Sequence, residues 1–253
     1  MSHQTYRKIK FDYNSFVRAG YNQFLLSKPG DIMVGGSLKQ RAKLYNEAST
    51  ELAYLSNTSI KNLIEPMFKK EEKFKRWGVT GTITLQGNAY FVKMIPVSDK
   101  FMKNQSDSSN VYELPSYYNY GFGSAGSNPW RELMLHIKTT NYVLEDKCEN
   151  FPILYHHRII SFDHTNGSFE TGLKEKLSER YADNQNIMNY LKDRSEAKNM
   201  IVLFLEHIPN VLGSVIQQDY NFIEKFYSQA KKIIGFLHEN NISHNDAHGY
   251  NFS

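Results

Sequence analysis

Cysteine and long apolar runs are nearly absent from this chain of 253 residues. Cys148 is its single cysteine, so no disulfide can form within the chain, and we expect a reducing compartment. We find no signal peptide and no apolar run long enough to span a bilayer, which predicts an intracellular, cytoplasmic protein without a membrane partner. Charge of one sign is scarce too, because 30 basic against 26 acidic residues leave a net charge of +4. No basic block indicates a nucleic-acid partner.

Apolar residues are present in the amounts that a folded protein needs, at 40% of the chain, with 14% aromatic residues. Residues 1–73 are predicted to form a mostly helical N-terminal extension. Helical spacing of apolar residues indicates one helix near 39–55 and a second over 60–68. The mixed charge run at 69–73 is interpreted as a solvated surface.

The pattern changes to strands after residue 74. Residues 81–85 and 89–95 flank a Gln86-Gly87-Asn88 turn and predict a β-hairpin. Pro96 is expected to end its second strand, because proline cannot donate to a ladder. The polar residues 98–127, rich in serine, asparagine and glycine, are predicted to be an inserted loop.

A helix over 130–143 is predicted next, with Pro129 in its first turn. Residues 153–162 and the apolar run 200–205 predict two further strands, the second of them buried. Between them, the charged residues 165–198 are interpreted as a second, mostly helical insertion. The last helix is the clearest, since its apolar residues recur at three- and four-residue steps from Ile223 to Leu237.

The segment after this helix has the clearest chemistry. It reads His244-Asn245-Asp246-Ala247-His248-Gly249-Tyr250-Asn251. An aspartate introduced by a histidine, with an asparagine five residues later, is typical of a phosphotransferase catalytic loop. The aspartate can accept the proton of an attacking hydroxyl, and the asparagine can hold a magnesium ion. Asp246 is therefore the candidate base and Asn251 the candidate metal ligand.

The order of these elements, with Lys93 and Glu132, resembles the protein-kinase fold. Lys93 stands in Phe91-Val92-Lys93-Met94-Ile95, which is similar to the strand whose lysine contacts the ATP phosphates, and Glu132 fits the acidic partner of that lysine. The resemblance implies an α+β fold, with an antiparallel-sheet N-lobe over 74–208 and the start of a helical C-lobe over 209–253. It also implies ATP and Mg²⁺ as cofactors, with Lys93, Glu132 and Asp246 as catalytic residues.

A partial glycine-rich loop extends the resemblance. Gly78 and Gly81 match the second and third glycines of the family's phosphate loop, and Ile83 matches the aliphatic residue that follows. Arg76 stands at the first glycine position, which is a departure. The resemblance implies that Gly78, Gly81 and Ile83 contact the nucleotide.

The segment Leu205-Glu206-His207-Ile208 fits the hinge of a kinase, which joins the two lobes. By resemblance, the backbone of Glu206 and Ile208 would bind adenine, and Leu205 would stand at the gatekeeper position. Together with Lys93 and the glycine-rich loop, these residues form the predicted nucleotide site.

Two departures in the catalytic loop leave the substrate class open. Asn245 replaces the arginine that usually follows the histidine, and His248 replaces the lysine that usually follows the aspartate. A histidine at this position of the loop is similar to the pattern in aminoglycoside and choline kinases. The acceptor is therefore either a protein hydroxyl or a small-molecule hydroxyl. The insertions and the helix start at 128–132 resemble divergent serine/threonine protein kinases of large DNA viruses, which implies a protein substrate and a place in the host cytoplasm or virion.

The family also has an aspartate beyond the catalytic loop that holds a second magnesium ion, and this chain ends at Ser253, before that position. We therefore expect a fragment or truncated form of a kinase. An inactive pseudokinase that acts as an interaction module is the alternative from another class. A third alternative treats His244, Asp246 and His248 as zinc or iron ligands of a hydrolase.

Overall fold

The computed structural model describes residues 37–68, 79–119, 128–162, 179–208 and 221–243, with the backbone alone in 221–226. Helices and strands are mixed in these residues, which confirms the α+β class. Their order along the chain is α1 (Leu38–Tyr54), α2 (Asn57–Phe68), β1 (Val79–Leu85), β2 (Asn88–Val97), α3 (Asp99–Lys103), α4 (Ser116–Asn119), α5 (Pro129–Leu144), β3 (Leu154–Ser161), α6 (Gln185–Ser195), β4 (Asn199–Glu206) and α7 (Asn221–Glu239).

The four strands form one antiparallel sheet in the order β1-β2-β4-β3. The predicted hairpin is confirmed, and its turn consists of Gln86 and Gly87, with φ of 47° and 81°. Positive φ at both central residues matches the right-handed twist of the flanking strands. Strand β4 lies between β2 and β3, so its residues are covered on both edges and both faces, as its apolar composition predicts.

Pro96 does not end β2, which corrects the prediction from sequence. The strand continues to Val97, and Pro96 stands opposite Met200 of β4. Strand β1 pairs with β2 only as far as Met94. Beyond that point one edge of β2 carries no strand among the described residues, so a residue without an N–H group is tolerated there.

Helices α1 and α2 cover one face of the sheet, which we call the α1 face. Ser37 caps α1 and forms a capping box with Gln40. Buried residues of the two helices share one core cluster with the sheet, and the cluster includes Ala48, Leu52, Ile60, Ile64, Val92, Met94, Val202 and Phe204. The two predicted helices of the extension are therefore present, and they share a core with the sheet. The predicted boundary at residue 73 lies outside the described residues.

The opposite face, which we call the Lys93 face, is covered by α5 together with parts of both predicted insertions. The second core cluster includes Ile95, Phe101, Tyr112, Tyr118, Trp130, Leu133, Tyr190, Ile201, Leu203 and Leu205. Residues 98–119 are thus not a simple surface loop, because their apolar and aromatic side chains contribute to the core. Helix α6 confirms the helical interpretation of the second insertion over Gln185–Ser195.

Helix α7 contacts the rest of the molecule near its end. Ile233 and Leu237 are buried in the first core cluster. The hydroxyl of Tyr142 donates to the Asn240 side chain over 3.1 Å, and Lys138 Nζ donates to the Asn240 carbonyl over 3.3 Å. These contacts hold the end of α7 against the last turns of α5.

Candidate functional site

The start of α5 is fixed by residues that the sequence places around Pro129. The Asn128 side chain caps the helix by accepting the N–H groups of Trp130 and Arg131. Its amide nitrogen donates to the carbonyls of Asp107 and Ser109 over 2.8 and 2.9 Å. The first turn of α5, which carries Glu132, is therefore held in place by the insertion that precedes it.

Lys93 and Glu132 form an ion pair, as the resemblance to kinases implies. Lys93 Nζ contacts Glu132 Oε1, and the two side chains are 5% and 15% exposed. Burial by itself raises the pKa of Glu132, but the Lys93 ammonium and then His136 oppose it and lower that pKa to about 2. Glu132 is consequently ionised at neutral pH and holds the Lys93 side chain in a fixed position on the Lys93 face of the sheet.

His136 stands behind this pair, one helical turn after Glu132. Its Nε2 atom is 3.8 Å from Glu132 Oε1, and its side chain is buried. Sequence reasoning missed His136. The signal that could have found it is the four-residue spacing, which places both side chains on one side of a helix.

The residues next to Lys93 on its face come from β2 and β4. In the antiparallel register Lys93 stands opposite Leu203, and Phe91 stands opposite Leu205. Leu205 is buried in the second core cluster, and Phe91 is half-buried against it. Leu205, the predicted gatekeeper, is therefore brought to the same face as Lys93.

Ile83 is not brought to that face, which corrects its predicted role in nucleotide contact. It stands opposite Tyr90 and is buried in the first core cluster, on the α1 face. Side chains alternate along a strand, so the neighbouring Thr82 is on the Lys93 face instead, opposite Phe91. Thr82 is exposed there, and sequence reasoning missed it because the motif match selected its neighbour.

Gly81 lies within β1, opposite Val92, so it belongs to the strand itself. Gly78 lies outside the described residues, as do Asp246 and Asn251. The described part of the chain ends at Ser243, immediately before the predicted catalytic loop. The predicted base and metal ligand therefore remain predictions.

Glu206 and Ile208, the remaining predicted site residues, stand at and just beyond the end of β4, and both are buried. The Glu206 carboxylate is bound by Arg41 of α1, with Arg41 Nη2 2.7 Å from Glu206 Oε2. Sequence reasoning missed Arg41. The sequence feature that could have indicated Arg41 is its place seven positions before Ala48. That spacing puts a charged residue on the buried side of an amphipathic helix.

The part of the chain that the structure describes holds no group of three or more histidine, cysteine or acidic residues able to bind a metal ion. No helix in these ranges is long and apolar enough to cross a membrane. Comparison of the chain with protein-family models, curated proteins and solved structures finds no match.

Proposed function

We propose that this chain is an ATP-dependent phosphotransferase, of the serine/threonine protein-kinase type, that transfers the γ-phosphate to a hydroxyl. The observation that carries the proposal is the buried Lys93–Glu132 pair. A lysine that is to point at phosphates needs a fixed anion behind it, and Glu132 supplies that anion from the first turn of α5. The strand order and the position of Leu205 on the same face support this interpretation.

The residues fit a nucleotide at one end of the Lys93 face. Lys93 supplies a positive charge for the phosphates, while half-buried Phe91 and exposed Thr82 leave this part of the face less covered than its core. Backbone groups of 206–208 would bind adenine. Bound ATP with Mg²⁺ would supply the phosphoryl group and neutralise its charge, with Asn251 as a metal ligand. Asp246 would accept the hydroxyl proton.

Transfer of labelled γ-phosphate from Mg-ATP tests the proposal. The acceptors are a serine-rich protein, choline and an aminoglycoside, which separate the protein-kinase type from the small-molecule type. Asp246→Asn should lower the rate by about a hundredfold or more, since it removes the general base. Lys93→Met should weaken ATP binding as well as transfer.

The outcomes are distinct. Transfer to choline or the aminoglycoside alone would replace the protein-kinase type by a small-molecule kinase. ATP binding without transfer to any acceptor would favour the non-catalytic alternative, an interaction module that retains a nucleotide site. Absence of ATP binding in calorimetry would overturn the proposal.

A further inference from the structure

A buried ion pair joins helix α1 to the last residue of β4. Arg41 Nε donates to Glu206 Oε1 over 3.0 Å, and Arg41 Nη2 donates to Glu206 Oε2 over 2.7 Å. The side chains are 2% and 6% exposed. The contact is a two-pronged fork between guanidinium and carboxylate, which fixes orientation as well as distance.

The same two side chains also bind the segment that leads into β3. Arg41 Nη1 and Nη2 donate to the carbonyls of Glu149 and Phe151 over 2.8 and 2.6 Å. Glu206 Oε2 accepts the N–H of Ile153 over 3.1 Å, and the Glu206 N–H donates to the Ile153 carbonyl over 2.8 Å. Arg41 thus fixes the end of β4 and the start of β3 relative to each other.

The chemistry of this pair indicates a positional role. Taking two charges out of water costs free energy, so a buried pair adds little net stability over apolar residues of similar volume. The planar guanidinium of Arg41 does fix the orientation of its partner groups, and the ammonium group of a lysine could not reproduce this arrangement of donors. The geometry that is fixed here is that of Glu206, the first residue of the predicted adenine-binding segment.

We propose that Arg41 is a positioning residue for the nucleotide site, and that α1 is in this way part of that site. The inference rests on the proposed function. Arg41 itself does not contact the nucleotide. It holds the backbone of 206–208 in the conformation that binds adenine, and without it only a fraction of molecules have that conformation.

Adenosine is the probe that tests this role, because it lacks the phosphates that Lys93 would bind. Arg41→Met should weaken adenosine binding about tenfold in calorimetry. This is the change expected when the fraction of molecules with the adenine-binding conformation of 206–208 falls to about one tenth. Arg158→Met is the matched control. Arg158 also ties α1 to the sheet, through the carbonyls of Leu52, Ala53 and Leu55, but it does not touch Glu206. Adenosine affinity should change less than twofold in Arg158→Met.

A double variant separates positioning from stability. Arg41→Met with Glu206→Met removes both buried charges, so its resistance to urea should recover toward that of the wild type. The fork is still absent, so adenosine binding should remain about tenfold weaker than in the wild type. If affinity recovers together with stability, Arg41 has only a structural role and the inference is overturned. If Arg41→Met fails to fold, Arg41→Lys replaces it, with the same expected direction.

Hydrogen exchange gives a measurement that needs no nucleotide. In Arg41→Met the amides of 203–208 should exchange about tenfold faster, whereas those of α6 should not change. Unchanged exchange in 203–208 would overturn the inference. If the wild-type chain binds no ATP, the proposed function fails. Faster exchange confined to 203–208 in Arg41→Met would then still show that Arg41 positions this segment.

Discussion

Lys93 and Glu132 contact each other in a place that is largely shielded from solvent, so the charge of Glu132 depends on Lys93. A carboxylate in such a place is protonated unless a cation opposes the cost of burial, and Lys93 provides that cation. The pair therefore has a consequence that can be measured without any substrate. The pair makes the free energy of unfolding depend on pH in the acid range.

The pH dependence follows from the depressed pKa of Glu132, about 2 in the folded chain against an ordinary 4.5. The unfolded chain takes up this proton first as pH falls, so the stabilisation is complete above about pH 5 and is lost toward pH 2. It is on the order of 3 kcal/mol. Urea denaturation from pH 7 to pH 2 measures it.

Glu132→Gln should remove this acid dependence. The variant should be less stable than the wild type at pH 7, since Lys93 is left buried without a counter-charge. The two stability curves should converge as pH approaches 2. Glu47→Gln is the control, because Glu47 and its partner Lys43 are exposed to solvent, where screening makes such pairs worth little. Parallel curves for wild type and Glu132→Gln would contradict the assignment of the ion pair.

At the scale of the element, the start of α5 determines where Glu132 lies. The helix begins at a fixed point because Asn128 both caps it and binds the insertion before it. Trp130 adds a second tie, as its Nε1 donates to the Phe101 carbonyl over 2.9 Å. The position of the first turn therefore depends on residues 98–119 as well as on α5 itself.

Asn128→Ala should cost about 2 to 3 kcal/mol of unfolding free energy, since it removes a cap and leaves two carbonyls without their donor. Asn184→Ala is the matched control. Asn184 caps α6 by accepting one N–H group, that of Ile187, so its loss should cost about 1 kcal/mol. Urea denaturation of both variants gives the comparison, and equal costs would show that Asn128 acts only as a cap.

At the scale of the whole molecule, α1 and α2 are part of the folded unit. Their apolar residues enter the same core cluster as Val92, Val202 and Phe204 of the sheet. Arg158 of β3 binds the last carbonyls of α1, where a cation also complements the helix dipole. We therefore expect these two helices to unfold together with the sheet.

Leu52→Ala should lower the unfolding free energy of the entire described unit by about 2 to 5 kcal/mol, because Leu52 is fully buried between α1 and the sheet. Tyr54→Ala, two residues along the same helix, should change it by less than about 0.5 kcal/mol, because Tyr54 is 86% exposed. Circular dichroism and tryptophan fluorescence should give coincident urea transitions. Separate transitions would show that α1 folds independently.

Most elements of the fold could be predicted because their signals are local. The period of apolar residues, the cap before α5 and the short turn in the hairpin depend on a few adjacent residues. The error at Pro96 arose because a proline can continue a strand along an edge that carries no neighbouring strand. In the described residues β1 begins at Val79, opposite Met94, so that edge of β2 carries no strand beside Pro96. The packing of 98–119 into the core was missed for a related reason. Its apolar residues are dispersed among polar ones and become a core only when α5 and α6 lie against them.

The candidate site divides in the same way. The resemblance to kinases implied that Lys93 and Glu132 form a pair, and the tertiary structure shows the contact. Ile83 was predicted to contact the nucleotide but lies on the α1 face, since a motif fixes sequence spacing and the register with Tyr90 fixes the side of the sheet. The contacts of His136 with Glu132 and of Arg41 with Glu206 are visible only in the tertiary structure.

The amino-acid sequence by itself determined the α+β composition, the hairpin and the long final helix, because short-range periodicity specifies them, and its resemblance to kinases implied the two residues of the central ion pair. Tertiary structure alone decided which face each side chain occupies, and that Arg41 reaches Glu206 across 165 positions of the chain. Such contacts depend on how elements pack, and packing is the sum of many weak, distant interactions that no local stretch of sequence contains. The catalytic-loop pattern from His244 to Asn251 remains a prediction from sequence, and the ion pair beneath the sheet is the structural reason to test it.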